Sequence, residues 1–225
     1  MSDAPMSGLT LALDASTYRG SVAVLDGASV RADAEAAMRG ADAERLMPAV
    51  MEVLARAGVR MRDVTRVVCG AGPGSFTSLR IAAGIAKGVA MGLGCPLYAV
   101  PSLPLVVAGA PLPAGRYLVV LDAMRGERYA APVDVADDGG MELAGATALL
   151  AEPDVAALAA REQRTRVGPA EALEAWPRAA GVARMLQQVL DAGPCDLAAW
   201  QPDYGRLAEA QVKWEAAHGR ALPAG

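Results

Sequence analysis

Leu9-Thr-Leu-Ala-Leu-Asp14, a polar turn from Ala15 to Arg19, and Gly20-Ser-Val-Ala-Val-Leu-Asp26 set the architecture of this 225-residue chain. The first run is apolar almost to its end and predicts a buried strand. The second alternates and predicts a neighbouring strand. Asp26-Gly27 is a hairpin signal, and a third strand follows from about Ser29 to Glu35. Three consecutive strands at the start of a chain make an antiparallel meander.

Working outward, Glu44 to Ala57 predicts a helix, with Leu46, Val50, Val53, Leu54 and Ala57 on one face. Pro48 falls near its first turn, where a missing N–H does least harm, and Gly58 ends it. A strand from Arg66 to Ala71 runs into the glycine-rich loop Gly70 to Ser75. A second helix follows from about Phe76 to Gly92, then a short strand from Leu97 to Val100. Pro101, Pro104, Pro111 and Pro113 mark a boundary, with room for a short helix or turn. Beyond it a hairpin is expected (116–122 and 127–135, joined at Met124-Arg-Gly), with weaker helices at about 153–161 and 179–192 and a strand near 165–168. The tail from Pro202 to Ala217 has a partly helical pattern. The expectation is two related α/β lobes, residues 1–108 and a smaller 109–225, the tail packing back on the first.

Composition narrows the function. Hydrophobic residues at 53% support a packed core, but aromatics are only 4%, so that core is aliphatic. A net charge of -4 offers no general attraction for nucleic acid. Cys69, Cys95 and Cys195 form no CxxC pair, which fits a reduced chain. With His218 as the one histidine, no multi-histidine zinc site can be built and a Ser-His-Asp triad is improbable. The N-terminus lacks a secretory signal pattern, and Lys87, glycines and Pro96 interrupt the most membrane-like window, Leu79 to Val100. A cytoplasmic chain without a membrane span is expected.

Several motifs admit two readings. Asp14-Ala-Ser-Thr17 places a carboxylate and two hydroxyls at a strand end. They face a phosphate or a metal-bound water, or Ser16 and Thr17 simply bond turn amides. Gly72-Pro-Gly-Ser-Phe-Thr-Ser-Leu-Arg80 opens a helix, where backbone amides can hold an anion through Gly72, Gly74, Ser75 and Thr77. Yet Pro73 removes a donor, the P-loop lysine is absent, and Ser75 or Thr77 serves equally as an N-cap. Gly84, Gly88 and Gly92 share one helix face, and each costs about 1 kcal/mol relative to alanine. Close backbone approach offsets that, either inside this chain or against another subunit. Met47 and Met51 lie beside the core stripe of the first helix, as adaptable surface contacts or as ordinary core. Arg125-Gly-Glu-Arg128 with Asp122 reads as a solvated hairpin tip or an anion-recognising one.

Together, Leu11-Ala-Leu-Asp-Ala-Ser-Thr17, Ser21-Val-Ala-Val24, Glu44-Arg-Leu-Met-Pro48, Gly72 to Arg80, Ala86-Lys-Gly88, Leu121-Asp-Ala-Met-Arg-Gly-Glu127 and Pro202-Asp-Tyr-Gly-Arg206 resemble the TsaB (YeaZ) family. The blocks keep the family order from residue 9 to about 215. The resemblance implies the actin-like ATPase fold (ASKHA, ribonuclease H-like) in two lobes. It implies a cytoplasmic, noncatalytic scaffold in synthesis of threonylcarbamoyladenosine at position 37 of ANN-decoding tRNAs. The implied partners are a TsaD-like paralogue, which carries the active site, metal and ATP chemistry, and a TsaE-like ATPase. tRNA is met only through the complex, a homodimer forms in isolation, and this chain carries no cofactor or metal of its own. The first two helices would form the partner surface: Leu46, Met47, Val50, Met51, Leu54, Gly84, Lys87, Gly88 and Met91. Asp42-Ala-Glu44 stands where the family commonly has His-Ser-Glu, and TsaD-like relatives use histidines on this helix as metal ligands. Ser78 and Gly205 also depart from the usual Gly and Leu. An old protease label of the wider family finds no support without those ligands. The rival readings are an autonomous ATPase or kinase of the same fold, with Asp14, Ser16, Thr17 and the Gly72–Thr77 loop on phosphate, and a homodimeric structural protein.

Overall fold

Strand β1 (Leu9–Asp14) carries apolar residues on both sides because both sides are covered. It pairs antiparallel with β2 (Arg19–Asp26), from Leu9 opposite Asp26 to Asp14 opposite Ser21. On its other edge it runs parallel to β4 (Arg66–Gly70), and β3 (Ser29–Ala37) and β5 (Leu97–Val100) complete a five-stranded sheet in the order β3-β2-β1-β4-β5. The structure is a computed structural model and describes residues 6–38 and 45–205.

The two-residue period of the strands sorts side chains between two layers. Leu11, Leu13, Val22, Val24, Val67 and Cys69 face helices α1 (Leu46–Ala57) and α2 (Phe76–Leu93). Ala12, Ala23, Leu25 and Val68 face the opposite way, toward α3 (Pro104–Ala108) and α5 (Val182–Asp191). The second sheet runs β11-β10-β6-β7-β8, with β9 also on β7. Its strands are β6 (Gly115–Asp122), β7 (Glu127–Val135), β8 (Met141–Leu143), β9 (Ala148–Ala151), β10 (Thr165–Gly168) and β11 (Leu173–Glu174). Helix α4 (Glu152–Arg161) covers one face through Val155 and Ala159. The other face meets α3, whose residues are all buried. Leu105 and Ala108 pack with the first sheet, and Leu103, Val106 and Val107 with the second.

The layers are therefore α1/α2, first sheet, α3/α5, second sheet, α4. Chain order and packing order part company after residue 178, because α5 rejoins the first sheet through Val182, Leu186, Val189 and Leu190. The Ser21 hydroxyl accepts a bond from Ala179 N at 2.9 Å and Arg178 reaches Asp33 at 2.7 Å, which ties this return to β2 and β3.

Most expected elements are present. The start of the first helix at Glu44 and the tail beyond Gly205, with Arg206 and His218, lie outside the described residues. The short strands β8, β9 and β11 and a 3₁₀ turn at Met61–Asp63 were not expected, since two to four residues carry too little periodicity. Helix α2 has the length and apolar composition to cross a membrane. Its buried Leu79, Ala82, Ala86 and Ala90 pack it against the sheet as a core helix.

Leu186 is 0% exposed, so Leu186→Ala is expected to destabilise the chain by about 2–5 kcal/mol. The same truncation at exposed Leu149 is expected to cost under about 1 kcal/mol. Urea denaturation of the two variants checks whether α5 is part of the first core.

Candidate docking groove and the Asp14 cluster

β1 delivers Asp14 to the edge of the first core, where it is wholly buried. Its Oδ1 accepts bonds from Ser16 N at 3.0 Å and Ser16 Oγ at 2.8 Å. Its Oδ2 accepts from Ser102 Oγ at 2.5 Å, and that hydroxyl accepts in turn from Gly72 N at 3.0 Å. Burial pushes the Asp14 carboxyl above the usual carboxylate range, and the three hydrogen bonds only partly oppose it.

The glycine-rich loop closes over this carboxylate. A Cβ at Gly70 would lie 1.9 Å from Asp14 Oδ2, and one at Gly74 would lie 2.1 Å from the Ser16 carbonyl oxygen. Ser75 N donates to that same carbonyl at 2.8 Å. From outside, Asp203 N donates to Ala71 O at 2.7 Å, and the Asp203 carbonyl sits where a Gly72 side chain would have to go. Tyr204 continues across the loop, its ring 4.6 Å from Phe76 and its carbonyl accepting from Tyr129 Oη at 2.9 Å.

Of the residues expected to face a phosphate, Asp14 bonds Ser16 and Ser102, Ser75 N bonds the Ser16 carbonyl, and Gly72 and Gly74 lie in close contact with the backbone of Asp203 and Ser16. Thr17 bonds the backbone of Arg19, and Thr77 lies exposed on the first turn of α2. Ser75 holds the N-cap position without a side-chain capping bond, its Oγ instead 3.1 Å from Ser78 Oγ. Ser102, which completes the cluster, was missed, because a serine in a proline-rich segment carries no signal for a carboxylate 88 positions earlier.

The second candidate lies on the outside of α1 and α2. A Cβ at Gly84, Gly88 or Gly92 would find nothing within 4 Å among the described residues. The three glycines floor a groove of about 450 Å³ walled by Met47, Met61, Ile85, Val89 and Leu93. Met51 and Met91 stand beside it, 53% and 68% exposed. Met61, Ile85, Val89 and Leu93 were not anticipated. Ile85 and Val89 share the i, i+4 spacing of the glycines, but Met61 comes from the 3₁₀ turn and gives no periodic sign. A correction applies to Leu46, Val50 and Leu54. Their side chains point into the first core at 0%, 0% and 2% exposure, so they support the surface without forming it.

The remaining candidates close on themselves. A shallow basin of about 810 Å³ beside β10 is lined by Arg164 and Arg166, which are paired with Asp134 and Glu162 and with Glu152 and Glu171. The hairpin tip at Met124 and Arg125 lies in left-handed backbone (φ 65° and 56°). There Asp122 accepts from Arg128 at 2.9 Å, and Tyr18 Oη donates to Met124 Sδ at 3.3 Å. No group of three His, Cys, Asp or Glu side chains suited to a metal occurs among the described residues.

Comparison with known proteins places this geometry. The profile of tRNA N6-adenosine threonylcarbamoyltransferase (TsaD) matches residues 37–199. The tRNA threonylcarbamoyladenosine biosynthesis protein TsaB of Bacillus subtilis is 30% identical over 224 residues, 91% of this chain and 96% of that protein. The chain belongs to the TsaB (YeaZ) family. The Escherichia coli TsaB is 34% identical over 147 residues, 64% of this chain, and the match spans 63% of its own length. YeaZ from Pseudomonas aeruginosa superposes with a TM-score of 0.70 at 26% identity, covering 88% of this chain and 99% of that one. A second Pseudomonas aeruginosa structure, described as similar to peptidase YeaZ, gives 0.75 at 28%, covering 88% and 100%. The fold is the two-lobed, actin-like α/β fold.

Between pH 3.8 and the raised folded-state value of Asp14, the folded chain holds more protons than the unfolded one, so this residue makes stability fall as pH rises. Asp14→Asn is expected to remove that component, giving a flatter stability profile above pH 4 in urea denaturation at a series of pH values. An unchanged slope would show that the carboxylate is not buried as described.

Proposed function

We propose that the chain is a noncatalytic subunit of the machinery that makes threonylcarbamoyladenosine in tRNA, and that it docks a TsaD-like paralogue in the groove between α1 and α2. The curated relatives are named biosynthesis proteins of that nucleoside. The observation that carries the docking role is the open glycine floor: three backbone positions without side chains, unfilled by any of the described residues, between walls of methionine and aliphatic residues. A helix of another protein can approach such a floor more closely than any other surface here. The chemistry would reside on the partner, with its metal and ATP, while a TsaE-like ATPase and tRNA engage the assembled pair in the cytoplasm.

The noncatalytic reading is supported at the Asp14 cluster. In an actin-like kinase or ATPase this strand end and loop would hold phosphate. Here the carboxylate is enclosed by Ser16 and Ser102, and the Asp203–Tyr204 segment lies across the loop. No nucleotide or metal is assigned to this chain. Calorimetry with Mg-ATP separates the rivals: turnover and tight binding by the isolated chain would favour an autonomous ATPase.

Deletion in the native host, followed by mass analysis of tRNA nucleosides, is expected to abolish threonylcarbamoyladenosine. Normal levels would remove the assignment. For the groove, Gly88→Leu is expected to weaken paralogue binding by about a hundredfold or more, roughly 3 kcal/mol. Because Gly88 is exposed in a helix interior, the same change should raise the chain's own stability by about 0.5–1 kcal/mol. Binding calorimetry and urea denaturation on one variant thus read opposite signs.

A further inference from the structure

After α5 the described chain forms no further helix or strand, yet it recrosses the molecule. Cys195 N donates to Leu97 O at 2.8 Å, on the outer edge of β5. A turn follows, closed by Trp200 N on Asp196 O at 2.8 Å, and Leu197 and Trp200 pack against the first core. Lys87 Nζ lies 5.9 Å from the centroid of the Trp200 ring. Gln201 to Gly205 then leave this anchor and pass over the glycine-rich loop toward β7 of the second sheet.

This last stretch is lightly held. Pro202 alone is buried along it; Gln201 and Asp203 are exposed, and Tyr204 and Gly205 are half-buried. On the side of the first lobe, Asp203 N donates to Ala71 O at 2.7 Å. On the side of the second, Tyr129 Oη donates to Tyr204 O at 2.9 Å, and the Tyr204 ring leans on Phe76 at 4.6 Å between centroids. Gly205 sits in left-handed backbone at φ 69°, against Tyr129 and Pro73 with no room for a side chain. A segment with so few buried apolar groups belongs to the low-stability end of a structure. What it covers is the opposite kind of region. The Asp203 carbonyl lies against Gly72, Gly72 N donates to Ser102 Oγ at 3.0 Å, and Ser102 Oγ donates to the wholly buried Asp14.

We propose that Gln201 to Gly205 form a latch hinged at Trp200, which lifts from the Gly72 loop as a unit while both lobes stay folded. Closed, it seals the Gly72–Ser102–Asp14 chain of hydrogen bonds from water and pins that loop to β7. Its polar contacts with the body are made by main-chain groups and one tyrosine hydroxyl, so opening leaves no buried charge unpaired. The bond from Gly205 N to Asp203 Oδ1, 2.7 Å, is internal to the segment and travels with it. The lobes need not part, because α3 is packed into both cores. The latch does not depend on what occupies the groove at α1 and α2.

The test is hydrogen exchange of the full chain, followed residue by residue by NMR in water and in urea below the unfolding transition. Amides that exchange by local opening respond little to such urea, whereas those that need global unfolding speed up steeply. The Asp203 and Gly72 amides are expected to exchange at least about a hundredfold faster than those of β1, with little urea response. Tyr129→Phe removes one hydrogen bond and should speed both amides about fivefold. Tyr204→Ala removes the ring contact and should speed both about tenfold. The β1 amides should be unchanged in each variant. Tyr204 is half-buried, so its truncation leaves the fold intact even if the change at buried Tyr129 does not. Asp203 exchange as slow and as urea-sensitive as that of β1 would make the segment a fixed part of the fold and overturn the latch. Equal acceleration of the β1 amides in the variants would do the same. A faster Asp203 beside an unchanged Gly72 would overturn the seal, since the loop would then open by its own route.

Discussion

Covering β1 on both faces is the constraint from which the rest follows. A strand between two helical layers must be apolar throughout, and Leu11 and Leu13 on one side with Ala12 on the other meet that demand. The chain must then bring a helix to each face. α1 and α2 follow directly in sequence, but the opposite face is filled by α3 and by α5, which returns after the whole second sheet has been made. The lobes are thus joined by packing as well as by chain, and the sharing of α3 between both cores leaves little room for them to move independently.

The same constraint governs Asp14. A carboxylate at the end of a buried strand has no water to face, and its ionised form is costly unless hydrogen-bonded. Ser16 arrives two residues later, and Ser102 arrives at the end of β5. Gly70 and Gly74 permit the close approach that a side chain would prevent. The loop that opens α2 closes over this internal network.

Legibility in the sequence followed the range of the interactions. β1, β2, α1, α2 and the second hairpin were readable because each repeats its own period over five or more residues. The family resemblance added the order of the lobes. The partners of Asp14 were not readable, since hydroxyls beside a carboxylate look the same whether they face a phosphate or one another, and Ser102 lies 88 positions away. Leu46, Val50 and Leu54 show the converse error. A shared helical face was correctly seen, but whether it pointed to a partner or to the sheet depended on where β1 and β2 lay. The groove wall at Met61 depends on a turn with no period at all.

The glycines of α2 carry the functional argument because their energetic sign is unfavourable within the chain. Elsewhere a glycine here has a visible reason: Gly74 admits the Ser16 backbone, and Gly58 and Gly94 end helices in left-handed conformation. Gly84, Gly88 and Gly92 have helical neighbours on both sides, and no described residue within 4 Å of where a side chain would begin. Each forfeits about 1 kcal/mol relative to alanine. Alanine would meet no steric obstacle at any of the three positions. Ala82, Ala83, Ala86 and Ala90 on the buried side of the same helix show what the chain places where it packs against itself. A fold optimised only for its own stability would carry alanine on the open side as well. The deficit is offset when something approaches the helix more closely than a methyl group allows, and none of the described residues does so.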